Sequence, residues 1–107
     1  MIKRIVVVSP YSGKTVLHKV YLQTCIDYVI EKGHAPFAGH YIYPNFLNDE
    51  EEEQRELGMK LGWAWGIVAN ECWVFADYGI SAGMKKDVEY YTKLCPDMPV
   101  KYISLGK

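Results

Sequence analysis

Cys72-Trp73-Val74-Phe75-Ala76-Asp77, followed after three intervening residues by Ser81-Ala82-Gly83-Met84-Lys85-Lys86-Asp87, sets an apolar run against a polar turn and a helix-compatible segment. A short apolar run bounded by turn residues is the pattern of a strand covered on both faces, and 84–94 has the length and composition of a helix. Strand followed by helix then gathers a hydroxyl, two carboxylates and free backbone N–H groups at one strand's carboxyl end. This arrangement makes 77–87 a candidate pocket.

The same alternation extends outward. Residues 2–8 form a β-branched run ended by Ser9-Pro10-Tyr11-Ser12-Gly13, and 14–32 reads as an amphipathic helix stopped by Gly33. Its expected inner face is Val16, Val20, Cys25, Tyr28 and Val29, broadened by Leu17, Tyr21 and Leu22. Ala35-Pro36-Phe37-Ala38 is a short strand that Pro36 assigns to an edge or an early position. After a loop, Asn48 is placed to cap a helix with Glu51 as its third residue, and Leu57, Leu61, Trp65 and Val68 recur as a stripe expected to be buried. Val100 to Leu105 supplies the last strand. Strands alternating with helices imply parallel pairing through right-handed crossovers, hence a three-layer αβα sandwich with a small parallel sheet of Rossmann-like or flavodoxin-like topology. Ligands of such sheets lie beyond the strands' carboxyl ends, so the loops 9–13, 39–47 and 77–83 should converge.

The chain has 107 residues, half of them apolar, and a formal net charge of -1, which bounds it to a single domain over 1–107 of globular composition. The run Asp49-Glu50-Glu51-Glu52-Glu53 and the absence of a basic stripe argue against a nucleic-acid partner. The apolar stretch near the N-terminus is too short for a membrane span or a signal core, so no membrane partner and a cytoplasmic location are expected. Three dispersed cysteines suggest reduced, mostly buried thiols rather than a disulfide scaffold or a zinc site.

Several side chains carry the chemistry. Ser9, Ser12 and Gly13 precede a helix whose N-terminal amides can receive a sugar oxygen or a phosphate, or they form an ordinary turn. His40 can hydrogen-bond or stack with a ligand, or cap backbone. Trp63 falls off the Leu57-Leu61-Trp65 stripe and can line a base pocket or a subunit contact, whereas Trp65 and Trp73 are assigned to packing. Asp77 can accept sugar hydroxyls or move a proton, or cap the loop through Gly79, Ile80 and Ser81. Burial or a neighbouring carboxylate would raise the pKa of Asp87, and helix N–H donors would lower it.

Across nearly its whole length, from Ser9-Pro10-Tyr11-Ser12-Gly13 through Gly33-His34-Ala35-Pro36-Phe37 to Ser81-x-Gly83-x-x-x-Asp87, the chain resembles the nucleoside 2-deoxyribosyltransferase superfamily, including its small deoxynucleoside monophosphate N-glycosidases. The resemblance implies action on the N-glycosidic bond of a small nucleoside or nucleotide, with Asp87 as the nucleophile on C1′. It assigns Tyr11 and Asp77 to positioning the sugar and nucleophile, and Ser81, Gly83 and the first loop to the 5′ end; Gly79, His40 and Trp63 are further candidate substrate contacts read from the chain itself. It implies no metal, no redox cofactor and a homodimer or higher homo-oligomer. Asp87 stands where the superfamily's motif has Glu, and Gly62 and Asn70 stand where relatives often carry Asp. These departures raise the alternative of a non-catalytic protein that binds a nucleotide or an ADP-ribose-like metabolite.

Overall fold

β-Branched side chains suit a pleated surface packed on both sides, and the strand Arg4–Val8 (β1) takes an interior position in the sheet with Ile5 to Val8 buried. The computed structural model describes residues 1–10 and 15–106. After β1 come α1 (Thr15–Glu31), β2 (Ala35–Phe37), α2 (Gly39–Ile42), a 3-10 turn (Tyr43–Asn45), α3 (Glu52–Gly66), β3 (Glu71–Phe75), α4 (Ala82–Leu94) and β4 (Val100–Ile103). The four strands are parallel in the order β2-β1-β3-β4. This is the α/β architecture expected, with β2 and its Pro36 at the edge.

Side-chain alternation divides the core in two. Ile5, Val7, Trp73 and Phe75 meet Tyr21, Leu22, Cys25 and Val29 of α1 on one face. Val6, Val8, Cys72 and Val74 meet Met84 and Tyr91 of α4, with Trp63 of α3 packed alongside, on the other. The chain leaves β1 for β2 on one side and returns past β1 to β3, so right-handed crossovers put α1 opposite α3 and α4. Strand order therefore reverses between β1 and β3, and a crevice opens above their carboxyl ends. No helix among the described residues is long and apolar enough to cross a membrane.

Three expectations need correction. Val16, Leu17 and Val20 are exposed, and the inner face of α1 begins only at Tyr21. A helix of 17 residues spans about 25 Å, whereas a five-residue strand spans about 17 Å, so the first turns of α1 overhang the sheet. Asn48 does not cap α3, whose N-cap is Glu51. Instead Asn48 Oδ1 accepts the Glu50 N–H at 3.0 Å, and its own N–H donates to Gln54 Oε1 at 2.6 Å, which organises the turn ahead of the helix.

The third correction is the largest. Leu57, Leu61, Trp65 and Val68 face solvent, and α3 turns Gly58, Met59, Gly62, Trp63 and Gly66 inward. Glycine lets the helix approach its neighbours at backbone distance. A Cβ on Gly39 would lie 2.9 Å from Gly62 Cα, and one on Gly66 would lie 2.1 Å from the Tyr91 hydroxyl oxygen. An added methyl at Gly66 must displace a buried ring. Gly66→Ala is therefore expected to lower stability by about 2–3 kcal/mol, while Gly58→Ala, whose Cβ would meet only Leu47 and Tyr43 side chains at 3.6 and 3.7 Å, is neutral or gains up to about 1 kcal/mol of helix propensity. Urea unfolding of the two variants checks the contrast, and equal effects would contradict it.

Candidate functional site

The cleft lies at the switch point. The end of β1 contributes Val8 and Ser9, the start of α2 contributes Gly39 and His40, the inner face of α3 contributes Gly62 and Trp63, and the first turns of α4 contribute Ser81, Gly83 and Asp87. The cleft is partly open, with a volume of about 140 Å³, and Tyr43, Leu47, Asp49 and Arg55 also line it. An apolar cavity of similar size holds a single six-membered ring.

Asp87 is the central ionisable group. It sits one and a half turns into α4, on the side facing the sheet, where burial raises its pKa from 3.8 to about 6 against the opposing hydrogen bond from Trp63. The Trp63 indole Nε1–H donates to Asp87 Oδ1 at 2.7 Å. The indole is itself fixed by stacking on Tyr90, with ring centroids 4.2 Å apart and planes 14° from parallel. Oδ2 has no hydrogen-bond donor among the described residues, and no side-chain oxygen there is both sealed from solvent and unpaired. One carboxylate oxygen is thus anchored and the other remains accessible.

Further groups stand near it. Ser9 Oγ and His40 Nε2 are hydrogen-bonded at 2.8 Å, and burial lowers the His40 pKa to about 4, so the imidazole is neutral at pH 7. Tyr91 is buried beneath Asp87, and burial first, then the Asp87 charge, drives its phenol pKa upward. Cys72 responds to the same two causes and is pushed up to about 12. Cys25, Cys72 and Cys95 are all free, the first two buried.

Of the residues singled out in the sequence, Ser9, His40, Trp63, Ser81, Gly83 and Asp87 converge on the cleft. The Ser81 hydroxyl also caps α4, accepting the Met84 N–H at 3.2 Å. Tyr11, Ser12 and Gly13 lie outside the described residues. Asp77 does not line the cleft: it follows β3 on the α1 face, accepts the Tyr21 hydroxyl, and takes Ser104 Oγ–H at 3.0 Å and the Leu105 and Gly106 amides at 2.9 Å. It ties the segment after β4 to the end of β3. Gly79 also stands apart, in an exposed turn with φ +84° closed by its N–H to Ala76 O at 3.0 Å. That backbone conformation is its reason for being glycine. Tyr91 was missed, although it lies four residues after Asp87 and so on the same helical face. Gly39 and Gly66 were missed too, because a glycine needed for close approach leaves no mark in an apolar pattern.

Fold and cleft together define a doubly wound α/β domain with a small cleft at its switch point. Residues 3–103 match a family described as a domain of unknown function, DUF7768, and the chain belongs to that family. No curated protein and no solved structure matches the chain significantly.

The raised pKa of Asp87 has a consequence for stability. The unfolded carboxyl ionises near 3.8 and the folded one near 6, so ionisation favours unfolding and stability falls as pH rises through that window. Asp87→Asn keeps an acceptor for the indole and removes the buried charge. The variant should be more stable than the parent by about 2 kcal/mol at pH 7.5, with the difference vanishing near pH 4. Denaturant unfolding at the two pH values measures this, and a loss of stability at pH 7.5 would oppose a desolvated carboxylate.

Proposed function

We propose that this protein cleaves the N-glycosidic bond of a small nucleoside or nucleotide, by hydrolysis or transfer, with Asp87 as the nucleophile. The observation that carries this reading is the half-anchored carboxylate: Oδ1 is held by Trp63, while Oδ2 is available at the wall of a cleft sized for one ring. In the proposed reaction Oδ2 attacks C1′ and the C1′–N bond breaks, the base leaving with the electron pair and taking a proton from solvent. Water, giving its proton to neutral His40, or a second base then attacks C1′, and the C1′–Oδ2 bond breaks to restore the carboxylate. The sugar occupies the enclosed part of the cleft, and the base extends towards Tyr43 and Leu47.

The positions of Asp77 and Gly62 favour a second reading. With Asp77 engaged at the C-terminal segment and no acid at position 62, the cleft has fewer carboxylates to assist departure of the base. A protein that binds a nucleotide or an ADP-ribose-like metabolite without turning it over fits that deficit.

Incubation with a pooled panel of nucleosides, nucleotides and NAD-derived metabolites, followed by mass spectrometry of released base and retained ligand, separates the two. Released base that drops below about a thousandth in Asp87→Asn supports the enzyme; equal release by the variant excludes Asp87 as nucleophile, and intact ligand retained without base supports the binding protein. Because the nucleophile must be ionised, the rate should rise with pH through about 6 and then level off. Trp63→Phe removes a donor that holds this pKa down, so its rising limb should move to higher pH. An unchanged limb would dissociate the activity from Asp87.

A further inference from the structure

Ser9 is buried in the cleft wall, 5 % exposed and one residue past the carboxyl end of β1. Its Oγ has one hydrogen-bond partner among the described residues, His40 Nε2 at 2.8 Å. A hydroxyl carries one proton and two lone pairs, whereas a neutral imidazole carries one proton and one acceptor nitrogen. Leaving a buried O–H without an acceptor costs about 1–3 kcal/mol, so the serine proton belongs on the bond to Nε2 and the imidazole proton on Nδ1. Burial keeps the ring neutral at pH 7, which makes Nε2 an acceptor. In that arrangement Nε2 is filled by Ser9, and the lone pairs of Oγ are left for a molecule in the cleft.

His40 and Tyr43 stand three residues apart, at the start of α2 and where it passes into the 3-10 turn, and so occupy neighbouring positions along the helix. Both line the cleft. In a double displacement the carboxylate nucleophile and the departing base take opposite faces of C1′, and the second nucleophile enters where the base has been. With the base directed towards Tyr43 and Leu47, its place is taken beside Ser9 and His40.

We propose that Ser9 receives the proton of the incoming water and hands its own to His40, an inference that rests on the cleavage reading above. As the water oxygen bonds to C1′, one water O–H breaks and its proton passes to Ser9 Oγ, while the Ser9 proton passes to His40 Nε2. The C1′–Oδ2 bond breaks with its electron pair on Asp87, and the imidazolium then returns its extra proton to solvent through Ser9. A water that is bonding to carbon as a leaving group departs is strongly acidic, so an imidazole of low basicity suffices and is quickly emptied. Ser9 takes no part in the first half of the reaction, where the attacking oxygen is already ionised and the base draws its proton from solvent.

Ser9→Ala separates the two halves. Incubated with a panel member that the parent cleaves, the variant should release one equivalent of base per chain at the parent's rate and then slow by at least about a hundredfold. Intact-protein mass spectrometry should then show the sugar retained on Asp87. Sodium azide attacks C1′ without a proton to lose, so it should restore turnover to Ser9→Ala and yield the glycosyl azide, with little effect on the parent. A variant damaged only in structure would lose the burst along with turnover and gain nothing from azide; that outcome overturns the relay, as does turnover at the parent's rate. Heteronuclear NMR of the imidazole nitrogens in the unliganded parent should show His40 with Nδ1 protonated and Nε2 as the acceptor. An Nε2–H tautomer overturns the proposal without recourse to a variant. A parent that releases no base from any panel member defeats the cleavage reading and the relay together, whereas failure of the Ser9→Ala arm alone leaves Asp87 in place as nucleophile.

Discussion

The glycine face of α3 is the constraint on which the cleft depends. Gly62 lies against Gly39 at backbone distance, and Gly39 opens the short helix that carries His40 to Ser9. Gly66 leaves room for the Tyr91 hydroxyl, which lets α4 lie close enough for Trp63 to reach Asp87. Moving α3 outward by the width of a methyl group would loosen both contacts, because packed interiors have little free volume in which to absorb the change. The three glycines therefore set the geometry of the polar groups without touching them.

Three carboxylates near the sheet show how hydrogen-bond supply sets the basicity of each. Glu71, buried at the start of β3, accepts Lys3, Lys101 and the Trp73 indole, and Lys3 foremost holds its pKa down to about 2. Asp77 receives a phenol, a serine hydroxyl and two backbone amides. Asp87 is half-buried with one indole donor among the described residues, and its pKa rises to about 6. A carboxylate well supplied with donors has little basicity left to offer. Asp87 retains it, and retains an oxygen to deliver it from.

Much of the scaffold was legible because it follows local rules. The β-branched run of β1, the apolar run of β3 and the Pro36 edge strand each carry their own signal, and the order of elements then restricts the sheet to a few topologies. Asp87 was legible as a carboxylate beyond a strand end, and Trp63 as an aromatic side chain off the Leu57-Leu61-Trp65 stripe. The role of Asp77 was not, since its partners Ser104, Leu105 and Gly106 lie 27 to 29 residues further on and two of them bond through backbone. Nor was the orientation of α3. Periodicity of large apolar residues identifies a face that prefers to leave water, but it does not say whether the partner is the same chain.

The inversion of α3 follows from two demands on one helix. Its inner side must come within backbone distance of α2 and accommodate a tyrosine from α4, which admits glycine and excludes leucine. Apolar area that would ordinarily fill that side is displaced outward, where Leu57, Leu61, Trp65 and Val68 leave an uncovered stripe on a small domain. For a chain of this size the fraction of surface buried on folding is modest, and covering such a stripe adds stability that its own core does not provide. The cleft wall and the stripe lie on different sides of the same rigid helix. Changes on the inner side therefore disturb fold and cleft together, whereas changes on the outer side act on exposed apolar surface and on the contact of the Trp65 ring with Phe37.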